Sequence, residues 1–223
     1  MNTTTLAPVI LFDLDGTLVD SSGDLGAALN DVRADLDLPA LPASRIRNVI
    51  SGGARAILER GLPELDEHQR LDQVDALLLA YKGHIGGHSD LFPGIAEVLT
   101  NIERAGSRWG VVTNKREDLA RTVLERLSLV SRSAILIGGD TLARHKPDPL
   151  PVQVACERMG VTPDRAVFIG DDPRDIAAGR GAGTRVIAVR WGFHIPETDP
   201  DTWGADAVVD SPDELMAACV LPA

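Results

Sequence analysis

Little in this sequence suits covalent cross-linking, membrane insertion or the binding of nucleic acid. Its two cysteines, Cys156 and Cys219, lie far apart and match no metal or redox spacing. Buried free thiols are therefore expected, not a disulfide framework. No apolar run approaches the length of a membrane span. The opening Met-Asn-Thr-Thr-Thr lacks the basic start and apolar stretch of a signal peptide, so a cytoplasmic protein without membrane contact is expected. Repeats, low-complexity tracts and blocks of like charge are also missing. Positive charge is scarce: the formal net charge is −11. That argues against nucleic acid, whose binding depends on neutralising phosphates, and it means that an anionic ligand must be drawn in by a local positive pocket. Lysine is the rarest basic residue, present only as Lys82, Lys115 and Lys146. Where arginine supplies the general surface charge, a retained lysine is a candidate for a specific duty, although Lys82 shows none.

What is present points to an α/β chain. Its 223 residues, 44% of them hydrophobic, fit one large domain or one domain with a smaller insert. The run Val9-Ile10-Leu11-Phe12 reads as a strand buried on both faces of a parallel sheet. Such strands carry ligands at their carboxyl ends, where Asp13 and Asp15 stand. Their i, i+2 spacing turns both carboxylates to one side, and two like charges held together call for a cation, a shared proton or both. An Asp-Gly turn after a strand is common in itself. Here, however, Gly16 and Thr17 add an open backbone and a hydroxyl, which suits phosphate handling.

After this strand the pattern is helical. Helices are expected over 24–37, 43–50, 54–60 and 66–82, interrupted by Pro39, Pro42, Gly52-Gly53 and Pro63. From Phe92-Pro93-Gly94 onward, strands and helices alternate. Strands are expected at 108–113, 134–137, 166–169, 185–189 and 207–209, and helices between them and at 211–219. Alternation of this kind predicts a doubly wound parallel sheet covered by helices on both faces. The helical block falls between the first strand and the others and reads as an insert. The expected division is a core of residues 1–20 and 91–223, with a helical cap of residues 21–90.

Each of four strand ends delivers a polar group. The first ends at Asp13 and Asp15, and the second at Thr113-Asn114-Lys115. The third leads to Lys146-Pro147-Asp148, and the fourth ends at Asp171-Asp172-Pro173-Arg174-Asp175. Singly these are unremarkable, because Thr113 suits a helix cap and Lys146 a solvated loop. Asp171 and Asp172 suit a helix N-terminus. Together they place carboxylates, a hydroxyl, an ammonium and free backbone N–H groups around one crevice. That set suits a hard cation such as Mg²⁺ beside a phosphoryl group.

These four stretches resemble the motifs of the haloacid dehalogenase superfamily, over nearly the whole chain. Gly138-Gly139-Asp140 and Trp203-Gly204-Ala205-Asp206 are similar to the phosphoglycolate phosphatase group within it. The resemblance implies Mg²⁺-dependent hydrolysis of a small phosphate monoester. Asp13 would be the nucleophile, forming an aspartyl phosphate, and Asp15 the general acid and base. Mg²⁺ would be held by the Asp13 and Asp171 carboxylates and the Asp15 backbone carbonyl, with Asp175 supporting it. Gly16, Thr113, Asn114 and Lys146 would bind the phosphate. Asp172 departs from the pattern, where relatives carry a small hydroxyl residue, and Pro173 after it favours a helix cap.

The insert resembles the superfamily's cap, hinged near Ser21 and Asp90, whose closure selects substrates. Gly52 and Gly53 make Ser51-Gly52-Gly53-Ala54-Arg55 a candidate contact loop, and Arg47 and Arg55 are candidates for a substrate carboxylate. His84 and His88, four apart among glycines, suit a hinge better than a metal pair. The expected partner is a small anionic phosphorylated metabolite, on a monomer or homodimer. Phosphoglycolate is the first candidate substrate and N-acetylmuramic acid 6-phosphate its competitor. Dehalogenation is disfavoured by Asp15, phosphosugar mutase activity remains a further option, and a phospho-accepting receiver is disfavoured by the large insert.

Overall fold

The computed structural model describes residues 5–194 and 198–221; residues 1–4, read above for a signal, lie outside them. The chain opens with β1 (Thr5–Leu6), β2 (Val9–Phe12) and β3 (Val19–Asp20). Helices α1 (Ser22–Asp35), α2 (Gly53–Gly61), α3 (Glu67–Asp72) and α4 (Val74–His84) follow. After β4 (Asp90–Leu91) come α5 (Ile95–Arg104), β5 (Arg108–Val112), α6 (Glu117–Arg126), β6 (Leu136–Ile137) and α7 (Leu150–Arg158). The remainder is β7 (Ala166–Gly170), α8 (Pro173–Ala182), β8 (Arg185–Val189), β9 (Ala207–Val209), α9 (Leu215–Ala218) and β10 (Val220–Leu221).

Six strands form a parallel sheet in the order β6-β5-β2-β7-β8-β9. The sequence period of two sorts their side chains to opposite faces. Ile10, Phe12, Trp109, Val111, Val167 and Ile169 enter one apolar cluster. Val9, Leu11, Val112, Ala166 and Phe168 enter the other. Helices cover both faces, so the doubly wound α/β architecture stands. The chain runs outward from β2 through β5 to β6, then returns to β7 on the other side of β2. The crevice outside the strand ends at such a reversal is where ligands of open α/β sheets bind.

The helices α1–α4 lie between β3 and β4, which pair antiparallel as a two-stranded stem (Val19↔Leu91, Asp20↔Asp90). Apolar contacts between α1 and α4 hold this block together, through residues such as Leu25, Leu29, Leu77 and Tyr81. Buried Asp24 organises the return toward the stem, accepting from Gly86 N (2.7 Å), His88 N (2.6 Å) and Ser89 Oγ (2.5 Å). His84 points elsewhere, with Nε2 2.7 Å from Asp31 Oδ2.

Three expected helices differ, and the strand expected over 134–137 is confined to Leu136–Ile137. The helix expected over 43–50 is instead two 3₁₀ turns, Ala43–Arg45 and Arg47–Gly52. The helix expected over 66–82 is divided at Gln73, whose N–H bonds to Arg70 O three residues back. The last helix is shortened to a 3₁₀ turn, Pro212–Glu214, and α9, because the chain then pairs β10 with β1.

Candidate active site

The register of the sheet assembles the site. Phe12 stands level with Val111 on one side and Ile169 on the other. Asp13, Val112 and Gly170 come next, and Thr113 and Asp171 one residue beyond. The ladder continues past the strands, since Asp13 N donates to Ile169 O and Thr113 N to Ile137 O, both 2.9 Å. Three strand ends therefore meet at one edge, where Asp13 and Thr113 line a cavity of about 380 Å³ between the sheet edge and the helical block, with Asp171 buried behind them.

At the floor of this cavity lies a buried charge cluster. Lys146 Nζ sits 2.8 Å from Asp13 Oδ1 and 2.7 Å from Asp175 Oδ1, and it donates to Val112 O at 2.9 Å. The contact with Asp13 is a charge contact without hydrogen-bond alignment, which leaves Asp13 Oδ1 buried and otherwise unpartnered. Burial works against the Lys146 ammonium, but Asp13 and Asp175 outweigh it and raise its pKa. Asp171 is fully buried, accepting from Thr17 Oγ1 (2.9 Å) and Phe193 N (2.9 Å). Burial, then the charges of Asp13 and Asp175, push its pKa well up. Asp175 is raised mainly by burial, with Lys146 pulling the other way.

Among the described residues, Asp13, Asp171 and Asp175 are the carboxylates that converge closely enough to hold a metal ion, with ligand oxygens within 4.8 Å of one another. Three buried carboxylates against one ammonium leave an excess of negative charge. Together with the orphaned Asp13 oxygen, that excess fits a divalent cation bound by oxygen. The backbone is shaped around the same place: Gly16 has φ +93°, and a β-carbon there would overlap the Asp171 carboxylate.

The other predicted residues are distributed around this cluster. Thr113 is buried and lines the cavity. Asn114 also lines it, but its amide is committed to the backbone of Lys146, accepting from Lys146 N at 3.0 Å and donating to Lys146 O at 2.9 Å. The Asn114 side chain thus clamps the Lys146 loop, which leaves its backbone facing the cavity as the part of Asn114 open to phosphate. Asp172 caps α8: it accepts from Arg174 N at 2.9 Å, while Asp175 reaches back to Asp172 N at 3.1 Å.

From the helical block, Ser51, Gly52, Gly53 and Ala54 line the cavity, as expected of a contact loop. Ser51 Oγ reaches Asp171 Oδ2 at 3.3 Å, and Ser51 O accepts from Arg174 Nη2 at 2.5 Å. Gly53, with φ +75°, has open space where a side chain would be. Arg47 and Arg55 are not among the lining residues. Arg47 instead pins the stem, with Nη1 2.6 Å from Asp20 Oδ2 and its guanidinium over Phe92 and Phe193. Asp20 is held below the usual carboxylate range: burial opposes this, but bonds from Ser22 and Arg47 prevail. Arg47 is therefore engaged at the stem, and Arg55 stands outside the cavity lining.

Two lining residues went unassigned at the level of sequence, Lys115 and Tyr81. Lys115 Nζ lies 3.0 and 2.9 Å from the two oxygens of Asp15. Burial disfavours this ammonium, yet the Asp15 charge outweighs it and its pKa is raised. Tyr81, buried on α4, covers it with its ring centroid 4.3 Å from Nζ, and burial pushes the phenol to about 12. The rarity of lysine was a signal for Lys115. Tyr81 sits in an ordinary amphipathic helix and gave none.

Comparison with known proteins agrees with this geometry. Residues 10–189 match the model of the haloacid dehalogenase-like hydrolase family. A phosphoglycolate phosphatase of Xanthomonas campestris pv. campestris is 42% identical over 96% of both chains. An N-acetylmuramic acid 6-phosphate phosphatase of Pseudomonas putida is 46% identical over 92% of this chain and 93% of its own. The crystal structure of a predicted phosphoglycolate phosphatase from Haemophilus somnus superposes with a TM-score of 0.83 at 26% identity, covering 94% of this chain and 96% of that one. With a strand-end cluster of this kind and a family match spanning the sheet that builds it, the chain belongs to the haloacid dehalogenase-like hydrolases.

Proposed function

We propose that this protein is a Mg²⁺-dependent phosphatase acting on a small phosphate monoester, with residues 21–90 as cap and residues 1–20 and 91–223 as catalytic core. The observation that carries this reading is the convergence of three buried carboxylates, Asp13, Asp171 and Asp175, beside the Lys146 ammonium at the cavity floor. Like charges buried together are costly and are retained where they have chemistry to do.

In the first step an Asp13 oxygen attacks phosphorus, the bond to the substrate oxygen breaks, and Asp15 delivers a proton to the departing alcohol. Thr113, Lys146 and the backbone near Gly16 hold the phosphoryl oxygens as charge moves across them. Mg²⁺ held by Asp13, Asp171 and the Asp15 carbonyl, with Asp175 behind them, would screen the repulsion between Asp13 and the phosphate. In the second step Asp15 takes a proton from the water that hydrolyses the aspartyl phosphate. Ser51 and Arg174 tie the cap to the core, which limits entry of other water.

The substrate choice is between 2-phosphoglycolate and a larger sugar phosphate. Arg116 at the cavity wall, paired among the described residues with exposed Asp118 at 3.2 Å and Asp140 at 4.0 Å, is available for a carboxylate. In favour of N-acetylmuramic acid 6-phosphate, the cavity of about 380 Å³ exceeds the needs of a two-carbon acid, and Leu25, Ile50, Ile57 and Leu77 make much of its wall apolar. A phosphate-release screen decides between them. The reading expects one of the two to exceed other monoesters in kcat/KM, with EDTA abolishing release and Mg²⁺ restoring it. Absence of release from any monoester would overturn it.

A further inference from the structure

The mechanism above leaves Lys115 without a task. Its side chain is only 8% exposed, and it spends that burial on both oxygens of Asp15. The Tyr81 ring, from cap helix α4, closes the other side. An ammonium that donates to both oxygens of a carboxylate fixes its plane and leaves further lone pairs on each oxygen. Such an arrangement suits a carboxylate that must accept a proton along a set direction.

Building on the phosphatase reading, we propose that Lys115 is a positioning residue for the second half of the reaction. It holds the Asp15 carboxylate facing the cavity for the attacking water, under the Tyr81 ring of the closed cap. In that half-reaction the water oxygen bonds to phosphorus and the bond from phosphorus to the Asp13 oxygen breaks. The electron pair returns to the Asp13 carboxylate, and the water's proton passes to Asp15. Lys115 keeps its own protons throughout. Tyr81 makes the contact conditional on the cap, since the ring that shields the ammonium leaves when α4 lifts away.

The test is stopped-flow turnover of p-nitrophenyl phosphate with Mg²⁺. This ester loses its leaving group without a proton, so the first half-reaction stays fast whatever happens at Asp15. Lys115→Met should release a burst close to one p-nitrophenol per enzyme. The steady rate should then be lower by about 10- to 100-fold, with KM falling in parallel and kcat/KM held within about threefold. Tyr81→Leu should move the same way by a smaller factor. Lys115→Arg, whose fork also spans two carboxylate oxygens, should recover most of the steady rate. If Lys115→Met does not fold by circular dichroism, Lys115→Gln carries the same test. An unchanged steady rate, or kcat and kcat/KM falling together without a burst, overturns the inference while the phosphatase reading stands. A wild-type enzyme that liberates no p-nitrophenol overturns both.

Discussion

The floor and the roof of the cavity are built on opposite terms. At the floor, Asp13, Lys146, Asp171 and Asp175 are buried and bound to one another or to the backbone. At the roof, Ile50, Ala54, Ile57, Leu77 and Leu78 offer shape and little charge. A charge cluster tolerates few exchanges, because removing one partner strands another in a medium that solvates it poorly. An apolar wall accepts changes of volume at modest cost. On the proposed reading, the difference divides the work: the reaction would belong to the floor, and most of the choice of substrate to the roof.

Substitutions can break or sharpen this contrast. The largest effect is expected at the floor, where Asp13→Asn should lower phosphate release on the order of 10³-fold or more while the far-ultraviolet circular dichroism is retained. Appreciable residual activity would remove Asp13 from the role of nucleophile. Asp15→Asn should cost on the order of 10²-fold or more with alkyl phosphates, measured as kcat/KM. Asp171→Asn should erase the rise in Tm that Mg²⁺ gives the wild type. Its metal-free stability should hold, since the Thr17 hydroxyl can turn to accept from the new amide and one like charge is gone. A Tm gain that survives this change would separate Asp171 from the metal.

At the roof, Leu77→Ala should shift the ranking of substrates in a phosphate-release panel by about 10-fold and leave p-nitrophenyl phosphate turnover within a few-fold. Equal losses on all substrates would blur the division between floor and roof. The smallest effect belongs to the stem. Arg47→Ala should cost about 1 kcal/mol or less in chemical denaturation, its ion pair with Asp20 being about one-third exposed. The pH sign follows from Asp20. Its folded pKa lies below the ordinary 3.8, so the pair's contribution is full above that value and lost as pH falls through the folded pKa. The gap between Arg47→Ala and wild type should therefore close in acid and persist at neutral pH.

The legibility of the chain divides along the same line. Parallel strands were readable because burial on both faces demands unbroken apolar runs such as Val9–Phe12, and their carboxyl ends fix where polar groups gather. The register then did the rest, bringing Asp13, Thr113 and Asp171 to within one residue of the same height. The cap was readable only as helical. Gln73 divides one expected helix without a proline or glycine to mark it, and the 43–50 segment winds as 3₁₀ turns. Contacts that depend on how α4 meets the sheet edge, such as Tyr81 over Lys115, have no local signature. Arginine was misleading in the cap for a related reason: a guanidinium suits a substrate carboxylate and an Asp20 on the stem equally well, and only the fold decides.

The central claim is that Asp13 takes the phosphoryl group. It is tested most directly by acid-quenching the enzyme during turnover and measuring the mass of its peptides. The account predicts one added phosphoryl group on the peptide containing Asp13, absent from Asp13→Asn. Phosphate release with no phosphorylated peptide at any quench time, or with the group on another residue, would contradict it.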